Sequence, residues 1–427
     1  MQYEAILIHW GELGLKGRNR PRFIDRLAGN VAWALKGLPV KRVRKLPGRL
    51  WVQAREGEFL GDEAIARLQT VFGISSFSPA VRADLELEAI QRAAWSLAEP
   101  RTYETFRVSA RRAFKDLPFR SQELNEQVGS FLWEQRQAKV KMKGADLDVR
   151  IEVLPSGAYL YADKFPGLGG LPQGMTGKVC VMLSGGIDSP VAAFRMMRRG
   201  CRVVMVHFHS HPFVTRASLE KAEDLAAHLM RYQYDGRLYS VAFGEIQRTI
   251  VEAVPPPLRV VLYRRMMVRI SEALGRRERC KALVSGESLA QVASQTLSNL
   301  VVIDDAASIP VLRPLIGLDK YEIIEQAQAL GTFEISVLPD QDCCTLFTPR
   351  NPETHAKLDR VLEAESKLDL QALVAGAVEA AERMEVRAPW WRPGKPRPGQ
   401  AGPNQGRASE EAPGAGISGE TAPGTGT

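Results

Sequence analysis

The chain has 427 residues, 45% of them hydrophobic, which is enough for two or three domains with separate cores. Its five cysteines, an odd number in a long chain, exclude a disulfide scaffold and favour the reducing cytoplasm. The formal charge of +8 favours an anionic partner, and the lack of a long apolar run or a basic leader excludes a membrane span and a secretory signal.

Residues 1–60 are predicted to form a small, basic α+β domain. A strand over 3–10 leads into a loop rich in glycine and arginine (11–20), then a helix and two strand-like runs. The domain holds twelve Lys or Arg against five acids, which favours nucleic acid over a small acidic metabolite as partner, although a solvated basic face would have the same composition. We expect loop amides and the side chains of Lys16, Arg18 and Arg20 to contact phosphates.

Residues 61–166 are predicted to form a second α+β domain. Its basic side chains alternate with aromatic ones near the end of a strand, as on surfaces that bind RNA phosphates and bases. The basic candidates are Arg111, Arg112 and Lys115, and the aromatic ones are Phe106, Phe114 and Phe119. The alternative is that at least two of these aromatic side chains belong to the core. Residues 167–176 are rich in Gly and Pro and are predicted to be a linker.

Residues 177–390 are predicted to form a third domain, with a doubly wound parallel sheet. Strands over 179–183, 202–208, 238–242 and 281–285 alternate with helices over 190–199, 216–229, 258–274 and 320–330. Ligands bind at the carboxyl ends of such strands, which brings residues 184–189, 207–210 and 286–288 to one crevice. A helix is expected over about 355–383. The tail, 391–427, is rich in Gly and Pro and is predicted to be disordered.

The 184–189 loop, S-G-G-I-D-S, has the strongest chemical signal in the third domain. A buried strand stops at Ser184, and a helix opens at Asp188 after two glycines, so first-turn amides and the helix dipole favour an anion. The lysine of the nucleotide P-loop is missing. The loop resembles instead the pyrophosphate loop of the ATP pyrophosphatases, which split ATP between its α and β phosphates. The alternative is a glycine turn in an ordinary α/β domain.

Cys343 and Cys344 are the candidate nucleophiles. They stand in a loop beside Asp340 and Asp342, a setting that is not typical of a core. The pair lacks a second pair with zinc-ligand spacing, so a metal site is excluded. Cys180 lies within a strand and is expected to be buried and inert.

The motifs taken together resemble the tRNA 4-thiouridine synthetases. The similarity covers nearly the whole chain before the tail and includes GELGLKGRNR (11–20), FGISSFSP (72–79), SGGIDSPV (184–191), VHFHS (206–210), RRMM (264–267), GESLAQVASQT (286–296), LRPL (312–315) and DCCT (342–345). It implies a ferredoxin-like N-terminal domain, a THUMP RNA-binding domain and an ATP pyrophosphatase domain. It also implies adenylation of a tRNA uridine at O4, at position eight, followed by replacement of the oxygen with sulfur from a persulfide.

Residue roles follow from the same resemblance. Ser184, Gly185, Gly186 and Ser189 are expected to bind pyrophosphate, and Asp188 to position Mg²⁺ or the phosphates. The other residues implied to contact ATP are Met182, Leu183, His207, Phe208, Arg264, Gly286 and Gln295. For His207 the alternative is a fully hydrogen-bonded histidine at a strand end. The upstream residues favour Cys343 over Cys344 as the sulfur carrier, with a cysteine desulfurase as donor.

Two departures from the family pattern qualify this prediction. Ala290 stands where the family usually has glycine. A C-terminal rhodanese domain, present in some members, is not expected here, which puts a sulfur-transfer role towards a thiamine-pathway carrier protein in doubt. Three alternatives stay open: thiolation of another tRNA position, a sulfur relay to that carrier, and an RNA-binding module with a decayed nucleotide domain. A homodimer is compatible with all of them.

Overall fold

Three β-sheets organise the chain in the computed structural model, which describes residues 3–113, 119–339, 347 and 349–389. Lys115, Phe114, both candidate nucleophiles and the predicted tail lie outside the described residues.

The first sheet is antiparallel and has β1 at its centre, between β3 and β4. Its elements are β1 (Ala5–Trp10), α1 (Arg20–Ala34), β2 (Val40–Leu46), β3 (Arg49–Ala54), α2 (Asp62–Leu68) and β4 (Ile74–Pro79). Leu27 and Val31 of α1 pack in one core with Ile6 and Ile8 of β1. Because β4 pairs with β1, residues 62–79 complete the first sheet, and the boundary predicted at residue 60 falls inside this domain.

The second sheet has the order β5-β9-β8-β6-β7 and is covered by two helices. The elements here are β5 (Val81–Ala83), α3 (Leu87–Ala98), β6 (Thr105–Arg112), α4 (Ser121–Arg136), β7 (Lys139–Val140), β8 (Leu147–Leu154), β9 (Gly157–Tyr161) and β10 (Phe165–Pro166). The last of these returns to the first sheet and pairs with β4. Phe106 is buried and Phe119 packs against the same core, so the core alternative is the correct one for both aromatic side chains.

Glu152 of β8 joins the first two sheets. It accepts hydrogen bonds from His9 at 2.9 Å and from the hydroxyl of Tyr161 at 2.7 Å, and it forms an ion pair with Arg49. Burial disfavours its charged form, but the bonds and charge of His9 and the charge of Arg49 outweigh burial, and the pKa of Glu152 falls to about 2. The carboxylate is therefore ionised at neutral pH.

The third sheet has the order β15-β14-β11-β12-β13-β16 and is parallel except for β16. Its elements are β11 (Lys178–Met182), α5 (Asp188–Arg198), β12 (Arg202–His209), α6 (Ala217–Gln233), β13 (Asp235–Ala242), α7 (Gly244–Ala253), α8 (Arg259–Arg277), β14 (Leu283–Val284), α9 (Leu297–Asp304), β15 (Val311–Leu312), α10 (Lys320–Leu330), α11 (Phe333–Ser336), α12 (Leu358–Glu365), α13 (Leu370–Ala380) and β16 (Glu382–Arg387). The predicted α/β architecture is confirmed. The chain leaves β11 towards β12 on one side and pairs with β14 on the other, which opens a crevice between them.

The single helix expected over 355–383 is wrong. The structure has α12 and α13 there, followed by the antiparallel edge strand β16. Asp369 separates the two helices because its side chain accepts a hydrogen bond from the amide of Ala372 and so caps α13.

The linker, residues 167–176, is bonded on both sides. Gly169 exchanges backbone hydrogen bonds with the turn before β4, whereas Leu171 and Gly174 donate to the carbonyls of Arg198 and Gly200 just after α5. Gly170 packs so closely that a Cβ there would lie 2.3 Å from the oxygen of Arg198. The first domain is thereby fixed to the far end of the helix that begins in the 184–189 loop.

Candidate functional site

A cavity of about 240 Å³ lies at the carboxyl ends of β11, β12 and β14. Its lining residues are Met182, Leu183, Ser184, Gly186, Asp188, Ser189, His207, Phe208, Arg264, Met267, Ser285, Gly286, Glu287, Gln291, Val292 and Gln295. The structure thus brings together Asp188 and ten of the eleven residues predicted to contact ATP or pyrophosphate. The exception is Gly185, which is buried outside this lining.

The 184–189 loop is closed on itself by its two serines. The backbone amide of Ser184 donates to Oγ of Ser189 at 2.9 Å, and that hydroxyl lies 3.1 Å from Oγ of Ser184. The amide of Gly186 points to the same Ser184 hydroxyl at 3.3 Å. Among the described residues no side chain caps the start of α5. First-turn amides and the positive end of the helix dipole at this cavity wall would favour an anion.

Asp188 is held by two residues that the sequence did not identify. Nζ of Lys320, the first residue of α10, lies 2.6 Å from Oδ1, and Nε2 of Gln291 donates to Oδ2 at 3.0 Å. Lys320 offsets the carboxylate charge beside the anion site. The loop sequence lacks the P-loop lysine, but Lys320 of α10 places an ammonium group beside the loop from the other side of the crevice.

Glu287 forms the opposite wall, at the crevice where the sequence placed residues 286–288, and the structure adds its contacts. It is buried, and its Oε2 accepts from Arg313 at 2.6 Å and from the hydroxyl of Ser285 at 2.7 Å. Arg313 is held in turn by both carboxylate oxygens of Asp304. The remaining oxygen of Glu287 lies 4.0 Å from the guanidinium of Arg264, another residue that lines the cavity.

His207 uses its imidazole ring to support the loop. Nδ1 lies 2.9 Å from the carbonyl oxygen of Leu183, and Nε2 lies 2.9 Å from Oγ of Ser218. A carbonyl can only accept, so Nδ1 carries the proton and Nε2 accepts from the serine. The ring is buried and fully hydrogen-bonded, as the alternative reading of the sequence has it, while the residue still lines the cavity.

Gly286 and Ala290 give the next wall its shape. A Cβ on Gly286 would lie 2.8–2.9 Å from backbone atoms of Asp188 and Ser189, so only glycine lets β14 end this close to the loop. Ala290 has φ +62°, in the left-handed region where glycine is favoured. Oε1 of Gln295 is buried in this wall without a hydrogen-bond partner among the described residues, and it is therefore available to a ligand.

The carboxylate of Asp188 is a suitable ligand for Mg²⁺ at the 184–189 loop. Magnesium is commonly held by one or two carboxylates together with substrate phosphates, and Asp188 supplies such oxygens to the cavity. Among the described residues no group of three or more His, Cys, Asp or Glu side chains could hold a metal by itself. The residues fit a magnesium ion that arrives with the phosphates.

The stretch that leads to Cys343 starts beside the loop. Oγ of Ser336 donates to the carbonyl oxygen of Gly186 at 3.4 Å. A chain extends by at most about 3.6 Å per residue, which limits Cys343 to about 25 Å from Ser336. Cys180 and Cys280 are buried, and burial raises the pKa of both thiols, that of Cys280 to about 12. The prediction that Cys180 is buried is confirmed.

The basic loop, residues 11–20, is divided between two roles. Arg18 and Arg20 are exposed and line a groove with Lys45 near the end of β2. Lys16 lies 3.1 Å from Glu12, which Arg199 of the third domain also binds with two hydrogen bonds of 2.9 and 3.0 Å. The bonds from Arg199 lower the pKa of Glu12 to about 2. Lys16 is thus part of the ion-pair contact between the first and third domains and is less available to phosphates than Arg18 and Arg20.

Arg111 and Arg112 end β6, where Arg112 pairs with Val153 of β8. Arg111 is exposed and Arg112 is half-buried. The next residue of β8, Leu154, shares a buried cluster with Leu46, the last residue of β2. Both described sets of predicted RNA-binding side chains therefore border the junction of the first two sheets.

No helix in the described part of the chain has the length and apolar character needed to cross a membrane.

Comparison with known proteins gives consistent matches along the chain. Residues 5–78 match the ThiI ferredoxin-like domain, residues 86–163 the THUMP domain, and residues 174–370 the thiamine biosynthesis protein (ThiI) family. The first two ranges agree with the end of the first sheet at β4.

Similar proteins match this chain along nearly their whole length. A probable tRNA sulfurtransferase of Thermus thermophilus is 46% identical over 387 residues, which cover 91% of this chain and 94% of the relative. One of Moorella thermoacetica is 44% identical, with 90% and 98% covered. A crystal structure of a 4-thiouridine synthetase–RNA complex with bound ATP is 32% identical, covers 90% of this chain and 100% of its own, and superposes with a TM-score of 0.83. The chain belongs to the ThiI family, with the ferredoxin-like and THUMP domains that precede its third domain.

Proposed function

We propose that the chain is an ATP-dependent tRNA sulfurtransferase that converts a uridine, at position eight, into 4-thiouridine. The observation that carries the proposal is the crevice: an uncapped helix N-terminus and a serine-closed loop face Arg264 and the Asp188–Lys320 pair. The relatives named above are called tRNA sulfurtransferases, and the similar crystal structure holds RNA and ATP.

The first step makes the uridine oxygen a leaving group. O4 attacks the α phosphorus of ATP, the O4–P bond forms, and the bond from that phosphorus to the β-phosphate oxygen breaks. Pyrophosphate leaves into the 184–189 loop, and the proton on N3 of the uracil is released. Amides at the start of α5 would stabilise the charge of the leaving pyrophosphate, and Arg264 would offset phosphate charge from the opposite wall.

Other residues of the crevice would orient the nucleotide. The buried amide oxygen of Gln295 suits an N–H donor such as the exocyclic amine of adenine. His207 acts through the loop, because its ring is engaged by Leu183 and Ser218. Asp188 would hold Mg²⁺ against the phosphates, where the ion supplies charge neutralisation when bound.

The second step introduces sulfur. The terminal sulfur of a persulfide on Cys343, loaded by a cysteine desulfurase, attacks C4; the C4–S bond forms, the C4–O bond breaks, and AMP leaves with the oxygen. The thiolate of Cys344 then attacks the Cys343 sulfur. This releases 4-thiouridine and leaves a disulfide, which a thiol reductant converts back to two thiols.

The substrate RNA would bind along the exposed basic side chains at the junction of the first two sheets. Arg18, Arg20 and Arg111 are the described candidates, and phosphate contacts of this kind weaken with increasing salt. Charge alone does not select a uridine. We infer that the rigid linker and the Glu12–Arg199 contact set the distance from this surface to the crevice.

The decisive experiment incubates unmodified tRNA with the protein, ATP, Mg²⁺, a cysteine desulfurase and cysteine, followed by nucleoside mass spectrometry and a pyrophosphate assay. Wild type should form 4-thiouridine, and a transcript with cytidine at position eight should not. Asp188→Ala should lose pyrophosphate release with tRNA affinity within a few fold of wild type. Cys343→Ser should release pyrophosphate but form no thiouridine, with Cys201→Ser as the control. Normal thiolation by Cys343→Ser would show that the sulfur-carrier assignment is wrong.

A further inference from the structure

We propose that Lys221 is a positioning residue for sulfur transfer, acting through the segment that carries the two candidate nucleophiles. This inference depends on the proposed function. Lys221 lies on α6 and is only 5% exposed, between the buried residues Leu219 and Ala222. Burial of an ammonium group raises the free energy of the folded state unless the group is hydrogen-bonded. The groups that bond it therefore indicate the role of the residue.

One partner of the Lys221 ammonium is the carbonyl oxygen of Leu338, which lies 2.7 Å from Nζ. Leu338 precedes Cys343 by five residues, a distance of at most about 18 Å along the chain. The side chain of Leu338 is 52% exposed, so apolar burial of this side chain does little to hold the segment here. The charged hydrogen bond from Lys221 anchors the chain before the cysteines, and after them Phe347 packs edge-on against Phe213 at 6.3 Å between ring centroids.

Residues 330–338 form a bracket, and α6 holds it at both ends. His228 stands seven positions after Lys221, on the same face of α6, and its Nε2 donates to the carbonyl oxygen of Leu330 at 2.7 Å. Between these anchors, Ser336 contacts the carbonyl oxygen of Gly186 in the 184–189 loop. The bracket therefore lies between α6 and the proposed pyrophosphate site.

This geometry assigns different effects to the two anchors. Lys221 fixes the end of the bracket from which the cysteine segment departs, so its loss should misplace the sulfur relative to C4 of the adenylated uridine. Misplacement of reacting groups by about 1 Å can reduce a rate on the order of a hundredfold. His228 holds the opposite end, next to α10, and its loss should affect the sulfur step much less.

Lys221→Met tests the assignment, because methionine keeps much of the side-chain volume and removes the donor. Its 4-thiouridine formation should fall by at least tenfold, with tRNA-dependent pyrophosphate release within threefold of wild type and an unchanged unfolding temperature. Lys221→Arg should recover part of the thiolation rate because it keeps a cationic donor. His228→Phe, the matched control, should keep the wild-type ratio of thiolation to pyrophosphate release.

Other outcomes would overturn the inference. Normal thiolation by Lys221→Met removes the positioning role, and an equal fall of pyrophosphate release and thiolation assigns Lys221 to the fold or to the nucleotide site. The same loss in His228→Phe would show that the whole bracket acts, with no special role for Lys221. If wild type itself forms no 4-thiouridine, the proposed function fails and this inference fails with it.

Discussion

A Cβ atom on Gly286 would lie 2.8 Å from the backbone nitrogen of Ser189. Because glycine has no such atom, the two sides of the crevice can approach this closely. Gly286→Ala should displace the 184–189 loop and weaken binding of a non-hydrolysable ATP analogue by about tenfold or more, equivalent to about 1.4 kcal/mol. Titration calorimetry measures the change. Gly376→Ala is the control, since Gly376 lies exposed on α13 with open space around it. Equal affinities for both variants would contradict the role of Gly286.

The ion pair between Asp188 and Lys320 predicts a coupling in nucleotide binding. Lys320→Met should weaken ATP binding by at least about tenfold, because an unbalanced carboxylate then faces the phosphates. Adding Asp188→Asn should restore part of that affinity while pyrophosphate release stays lost. Lys281→Met, an exposed lysine of the same domain, controls for net charge. Additive losses in the double variant would disprove the coupling.

Replacing Ala290 by glycine should not lower the free energy of unfolding, unlike most replacements of alanine by glycine. The φ of +62° at Ala290 costs an alanine about 1 kcal/mol relative to a favoured backbone conformation, whereas glycine adopts it freely. Ala290→Gly should therefore leave the free energy of unfolding unchanged or raise it by up to about 1 kcal/mol. Ala375→Gly, on the exposed face of α13, should lower it by about 0.5–1 kcal/mol. Chemical denaturation of both variants gives the comparison, and equal destabilisation would refute the strain at Ala290.

Glu152 predicts a loss of stability in acid. Its pKa is about 2 in the folded chain against an ordinary 4.5, so the unfolded state binds the proton more tightly. The stabilisation, on the order of 3 kcal/mol, is complete above pH 4.5 and is lost as the pH falls towards 2. Glu152→Gln should be less stable than wild type at pH 7 and equal to it near pH 2.

The control for this pH series is Glu58→Gln, which changes an exposed ion pair with Arg55. It should leave the pH dependence of stability unchanged. A constant difference between wild type and Glu152→Gln across the pH range would show that the carboxylate acts by shape and not by charge.

The sequence predicted the crevice because its parts obey local rules. Ser184 and Gly286 follow buried strands, His207 lies near the carboxyl end of β12, and parallel strands end at one edge of a sheet. Lys320 and Gln291 escaped prediction because they reach Asp188 from 132 and 103 residues away, and no local pattern encodes such contacts. Glu287 was placed at the crevice with residues 286–288 but given no role, since only the structure shows its arginine partners.

Errors in the fold have equally specific causes. The first domain was cut short because β4 joins β1 across 64 residues, so its membership depends on pairing and not on composition. The helix predicted over 355–383 ran into the first two residues of β16, and the strand itself was not predicted. Four of its six residues are charged, a composition that suits an exposed edge strand but hides the alternation of a buried one. The break before α13 was readable in principle, since Asp369 is a favoured capping residue.

Because the linker, residues 167–176, is hydrogen-bonded to the third domain, we expect that the third domain does not fold stably by itself. A fragment starting at residue 177 would lose the amide donors that bind the carbonyls of Arg198 and Gly200. It would also expose Tyr234, which is buried beneath Trp33, and Phe194, which packs on Phe72. Solvent-exposed aromatic side chains and carbonyls without hydrogen-bond partners favour aggregation. Shortened versions of this enzyme should therefore keep the first domain, the linker and the third domain on one polypeptide.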